Sequence, residues 1–140
     1  MELTFDRLTK KFHSTIAVDR FSYTMSNGVY GLLGANGAGK TTLMRMICTI
    51  LQPTGGEILY NGNRIHSMGA KYCDILGYLP QNFGYYPDFS ARDFMLYMAS
   101  LKGIHGRAAS RKVHELLEIV GLSEVSGQKI RAFSGGMKQR

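Results

Sequence analysis

Apolar positions change rhythm along this chain, and each rhythm predicts a different element. Leu3 and Phe5 alternate with polar neighbours, as do Phe21, Tyr23 and Met25 with Ser22, Thr24 and Ser26. A period of two fits half-buried strands. Val29-Tyr30-Gly31-Leu32-Leu33 is continuously apolar or small, the pattern of a strand buried on both faces in a parallel sheet. Leu43, Met46, Ile47 and Ile50 then follow helical spacing, and Pro53-Thr54-Gly55-Gly56 stops that helix. Ile58-Leu59-Tyr60 before Asn61-Gly62 predicts a strand and tight turn. Ile75 to Leu79 predicts a further strand, ended by Pro80.

From about Phe89 onward the period is helical. Phe94, Tyr97, Met98 and Leu101 repeat it, as do Val113, Leu116, Leu117 and Val120, with Gly103 to Gly106 separating the two helices. Ser90 followed by Asp93 resembles a capping box at the first helix start. The chain therefore reads as a strand-rich front with a helical insert.

The chain's 140 residues fit one domain. Its 44% hydrophobic and 19% charged content suits a packed core and excludes a disordered tail. No apolar run approaches the roughly 18 residues of a membrane span, and the start, with Glu2 and Asp6, is not a secretory signal. Cys48 and Cys73 lack metal or redox spacing and read as free, buried thiols. The histidines form no paired ligand motif. The net charge is +7, but the basic residues are scattered, which predicts a solvated surface and no nucleic-acid partner.

The candidate chemistry begins at Gly34-Ala35-Asn36-Gly37-Ala38-Gly39-Lys40-Thr41, which fits G-x-x-x-x-G-K-[ST] between an expected strand and an expected helix. Phosphate oxygens need converging backbone amides, and glycines allow the turns and close approach that side chains would block. The helix start adds a partial positive charge. Lys40 is placed for the β- and γ-phosphates, Thr41 for Mg²⁺ and Thr42 for a further phosphate contact. A guanine-reading Asn-Lys-x-Asp is missing, and Asp74-Ile75-Leu76-Gly77 is a coincidental short match.

Two later segments narrow the branch. Gly77-Tyr78-Leu79-Pro80-Gln81 puts a glutamine after a strand, and Phe133-Ser134-Gly135-Gly136-Met137-Lys138-Gln139-Arg140 closes the sequence. With the phosphate loop, these resemble the Q-loop and signature motif of the ATP-binding cassette (ABC) transporter nucleotide-binding domain, from the first strand to the last residue. The resemblance implies an α/β fold: a P-loop NTPase (RecA-like) core with N-terminal antiparallel strands and a helical subdomain at about 84–128, incomplete at the C-terminus. Residues 1–140 would be the N-terminal part of one such domain.

The resemblance also implies roles. ATP and Mg²⁺ would be held by residues 34–42, with Lys40 and Gln81 as catalytic groups and Thr41 and Gln81 as metal ligands. Gln81 would also join the core to the helical insert. Ser134, Gly135 and Gly136 would present a serine cap and open amides to ATP on a second domain, in a head-to-tail dimer. Phe12 stands where the family places an aromatic residue over adenine, and stacking there contributes about 1–3 kcal/mol; a core role for Phe12 is equally open. Met137 replaces the family's usual glutamine and Phe133 a leucine. Phe83, Tyr85, Tyr86 and Phe89 are either a socket for a membrane permease or packing within the insert, and full burial would eliminate the socket. Met44, Met46, Met95 and Met98 read as core filler.

No apolar run ending in Asp-Glu follows Gly39, so the family's metal-binding aspartate, catalytic glutamate and switch histidine are missing. The expectations are an inactive fragment, an exposed apolar edge and marginal stability. The intact protein would be a cytoplasmic ATPase, peripheral on the inner face of the cell membrane, and its motif style resembles bacterial drug or antibiotic exporters. A soluble family member acting in translation, or a binding-only module, stays open beside this reading. The interval from Lys40 to Ser134 carries no heptads, which excludes the coiled-coil chromosome type.

Overall fold

The alternating front of the chain folds into a long antiparallel hairpin, β1 (Leu3–Phe12) and β2 (Thr15–Met25), closed by a turn with His13 at φ 48°. The computed structural model describes residues 1–80 and 84–140, and the chain divides into two units, Met1–Leu79 and Pro80–Arg140.

In the first unit, β3 (Gly55–Tyr60) pairs antiparallel with β1, and a two-residue β4 (Asn63–Arg64) follows the Asn61-Gly62 turn, giving the order β2-β1-β3-β4. Both turn residues have positive φ, 46° and 78°, as an Asn-Gly hairpin requires. One sheet face packs on helix α1 (Lys40–Ile47) and on two single-turn helices, α2 (Ile65–Met68) and α3 (Ala70–Cys73). Phe5, Leu8, Leu43, Met46, Ile58 and Ile65 form the buried centre with Tyr72. Burial, reinforced by Cys48, Cys73 and Tyr60, pushes the Tyr72 phenol up to about 12 and keeps it neutral in this core. Cys48 is buried as expected, but Cys73 is exposed.

Helix α1 is shorter than its apolar spacing predicts. It ends in a Schellman motif: the amide of Thr49 donates to Met46 O and that of Ile50 to Arg45 O, at 3.1 and 3.0 Å. The turn carries Ile50 off the helical face and leaves it exposed. Thr49 holds φ 57°, a left-handed conformation that a β-branched residue resists. The equivalent positions after the helices of the second unit are Gly103 (φ 74°) and Gly121 (φ 66°). Thr49→Asn is therefore expected to stabilise the first unit by about 0.5–1 kcal/mol, read as a higher denaturation midpoint; an unchanged or lower midpoint contradicts this.

Two expected strands are absent. Residues 29–33 and 75–79 form no ladder with any described residue, and every described strand pair is antiparallel. Val29 and Leu33 are fully exposed, and Ile75 and Leu79 largely so. A buried parallel strand needs a neighbour on each edge and cover on both faces. None of the described strands pairs with these segments, so most of their apolar side chains face solvent, Leu76 excepted, which packs against the first core. Apolar exposure is found in these two segments, though not as the expected sheet edge, because neither forms a strand.

The second unit contains α4 (Ala91–Leu101), α5 (Gly106–Ile119), short 3₁₀ turns at Ser123–Val125 and Ile130–Ala132, and α6 (Gly135–Gln139). The Ser90 cap forms: its Oγ accepts from the Asp93 amide at 3.0 Å and donates to the Asp93 carboxylate at 2.7 Å. The core gathers Ala91, Val113, Leu117, Leu122 and Phe133. Helix α4 buries Ala91 and Phe94 and packs Met95 and Leu96 against that core, while Tyr97, Met98 and Leu101 face outward. The buried stripe is rotated from the predicted one, with Ala91, Met95 and Leu96 on the core side. Of the four methionines read as filler, Met46 and Met95 pack in cores, whereas Met44 and Met98 are exposed.

Candidate functional site: the glycine-rich loop before helix α1

Residues 34–39 lead from the exposed segment at 29–33 into α1, with Gly39 as its N-cap at φ 84°. A side chain is excluded at Gly39 because a Cβ would run into the Ala17 carbonyl of β2 and crowd Val18. β2 begins at Thr15, the register partner of Phe12, so the hairpin end and the loop belong to the same part of the unit. The sequence carries no local signal for this contact, because loop and floor are distant along the chain.

Three features suit an anion. No side chain caps α1, and no acidic residue occupies its first turn, so nothing within the helix competes for its leading amides. Lys40 turns back over the loop and its Nζ donates to the carbonyls of Gly34 and Ala35, both at 2.7 Å. The ammonium is therefore held at the loop by two backbone carbonyls. Thr41 is exposed, and its hydroxyl has no hydrogen-bond partner among the described residues. Asn36, Gly37 and Ala38 are exposed around the bend, which is tied by Ala38 N to Ala35 O at 3.2 Å. Thr42 is half-buried.

Phe12 is exposed by 42% and lies outside the core cluster, which removes the core alternative. Lys10 Nζ stands 5.2 Å from its ring centroid, a cation–π contact that sequence reading missed. Gln81 and Phe83 lie outside the described residues.

In the second unit, Ser134 caps α6, its Oγ accepting from Met137 N at 3.2 Å, and Ser134, Gly135 and Gly136 are all exposed. The two departures from the family pattern face inward. Phe133 is a core residue and Met137 packs against the same cluster, so both anchor the motif. Tyr85, Tyr86 and Phe89 are each partly exposed, so the socket alternative survives its burial criterion. Tyr86 packs on Phe89 and edge-on to Tyr97, with centroids 5.0 and 5.7 Å apart, forming an aromatic surface.

A family model described as ABC transporter matches residues 18–140. The chain belongs to the ABC transporter family. Among curated ABC relatives it is 38% identical to the uncharacterized ABC transporter ATP-binding protein YxlF of Bacillus subtilis, over 99% of this chain and 45% of that protein. It is 37% identical to the bacitracin transport ATP-binding protein BcrA of Bacillus licheniformis, over 95% of this chain and 43% of that protein. The chain spans about half the length of the curated relatives it matches. A solved ABC transporter ATP-binding protein from Pyrococcus furiosus superposes with a TM-score of 0.76 at 28% identity, covering 96% of this chain and 64% of that one. The α/β fold expected for an ABC ATPase domain, with its antiparallel sheet and helices, is thereby established.

Proposed function

We propose that this chain is the N-terminal part of an ABC transporter nucleotide-binding domain, with residues 84–128 as its helical subdomain, and that the whole protein couples ATP binding and hydrolysis to export. The loop geometry carries this reading: an uncapped helix start, an ammonium folded onto the loop and a backbone packed too closely for a side chain. Gly34, Gly37 and Gly39 shape the cradle, in which the amides of Asn36 to Thr42 and the Lys40 ammonium bind the β- and γ-phosphates. Lys40 spreads the developing negative charge.

Mg²⁺ fits as a companion of the nucleotide. No described cluster of His, Cys, Asp or Glu could hold an ion alone, while the Thr41 hydroxyl is open beside the loop. Thr41 and Gln81 would ligate the ion, which neutralises phosphate charge when bound. Phe12 would stack on adenine. Ser134, Gly135 and Gly136 would close over ATP on a second, head-to-tail copy, and the aromatic surface at Tyr85, Tyr86 and Phe89 would seat a membrane permease. No helix among the described residues is long and apolar enough to cross a membrane. The permease would thus hold the protein at the inner face of the cell membrane. Names of relatives such as the Nod factor export ATP-binding protein I of Burkholderia lata favour export over a role in translation.

Residues 1–140 supply the phosphate cradle but no aspartate–glutamate pair after an apolar strand. They are expected to bind ATP without turning it over. Steady phosphate release from purified residues 1–140 should equal that of Lys40→Ala; sustained, Lys40-dependent release would overturn this.

A further inference from the structure

The second unit contains a polar cavity that the nucleotide reading leaves unused. Its volume is about 220 Å³, between α4, α5 and the Ser123–Val125 turn. Its polar lining is Arg92, Ser110, His114, Ser123 and Ser126. Val113 and Leu117, whose outer sides belong to the core, supply the apolar wall.

Two observations distinguish this cavity from an ordinary crevice. The Ser123 hydroxyl oxygen is buried and has no hydrogen-bond partner among the described residues, an arrangement that is unfavourable unless something binds it. The side chains of Arg92, Ser110, His114 and Ser126 also have no hydrogen-bond or ion-pair partner among the described residues. Donors from three separate elements therefore converge on one space.

The charge of that space is one-sided. No carboxylate lines it among the described residues. Of the acids on the flanking elements, Asp93 is engaged by Ser90 and Glu115 by Lys112, while Glu118 and Glu124 are exposed and outside the lining. Arg92 is the resident cation, and a guanidinium matches oxyanions geometrically. The volume lies below the roughly 300–1,000 Å³ typical of sites for larger organic ligands, so the occupant is small.

We propose that this cavity binds a small free oxyanion of the phosphate or sulfate class, with Arg92 as the charge partner and the hydroxyls of Ser110, Ser123 and Ser126 as donors. The site is independent of the glycine-rich loop, and the test separates them. Inorganic phosphate is titrated into the Lys40→Ala chain, which weakens the loop as a competing site, while backbone amide resonances are followed. Saturable shifts are expected at Ser110, His114, Ser123 and Ser126. Arg92→Gln should weaken them about tenfold, and Ser123→Ala severalfold. Arg92 is exposed, so its replacement leaves the core intact; the Ser123→Ala titration decides independently should Arg92→Gln unfold. Shifts that fail to saturate, that potassium chloride reproduces at equal ionic strength, or that persist unchanged in the folded variants would overturn the proposal.

Discussion

Gly39→Ala is expected to destabilise the first unit by about 3 kcal/mol or more and to abolish nucleotide binding. Two costs add. An L-residue at φ 84° loses roughly 1–2 kcal/mol from left-handed strain. The new Cβ would also meet the Ala17 carbonyl, backbone of β2 at the irregularity between the paired residues Ile16 and Val18, so relief requires moving β2 or the start of α1. Gly37→Ala is the matched control. Gly37 has a similar φ of 87° but open space around its would-be Cβ, so only the strain applies. Denaturant unfolding should rank wild type above Gly37→Ala and Gly37→Ala well above Gly39→Ala. Equal losses would show that the contact with β2 does not constrain the loop.

Lys40→Ala is expected to weaken ATP·Mg binding by at least about tenfold and to leave unfolding within about 0.5 kcal/mol of wild type. The lysine's present partners are the Gly34 and Ala35 carbonyls, in a loop whose residues are largely exposed, and water replaces those bonds readily. Phosphate gains more from the ammonium than a carbonyl does, because both partners are then charged and their Coulomb attraction adds to the hydrogen bond. Lys40→Arg is expected to restore charge without full affinity, since the planar guanidinium lacks the compact reach of an ammonium. Calorimetry on the wild type and the two variants checks the order. A Lys40→Ala chain with native affinity would remove the lysine from the site.

Local chemistry was legible in the sequence wherever a short stretch decides the structure. The Ser90 cap, the Asn61-Gly62 turn, the glycine break after α4 and the loop glycines all follow from residue type and near neighbours. The hairpin strands followed from their alternation, because one face meets a core. Elements that depend on distant partners were not legible. Residues 29–33 have the composition of a buried parallel strand, yet composition does not provide the neighbouring strands such a ladder requires. Ile50 fits the helical period, but the turn at Thr49 removes it from the helix. In the site, Lys40 and Thr41 were named from spacing alone. The floor at Ala17, the Lys10 contact with Phe12 and the inward anchoring of Phe133 and Met137 needed the fold.

The central claim is that the amides at the start of α1, together with Lys40, grip the phosphates of ATP. Titration of ATP·Mg into residues 1–140, followed at the backbone amides of Gly37 to Thr42, tests it most directly. The account predicts saturable shifts concentrated on those amides, matched by adenosine only at the Phe12 end of the hairpin and sharply weakened by Lys40→Ala. Amides that ignore ATP·Mg, or that respond identically with and without the Lys40 side chain, would contradict it.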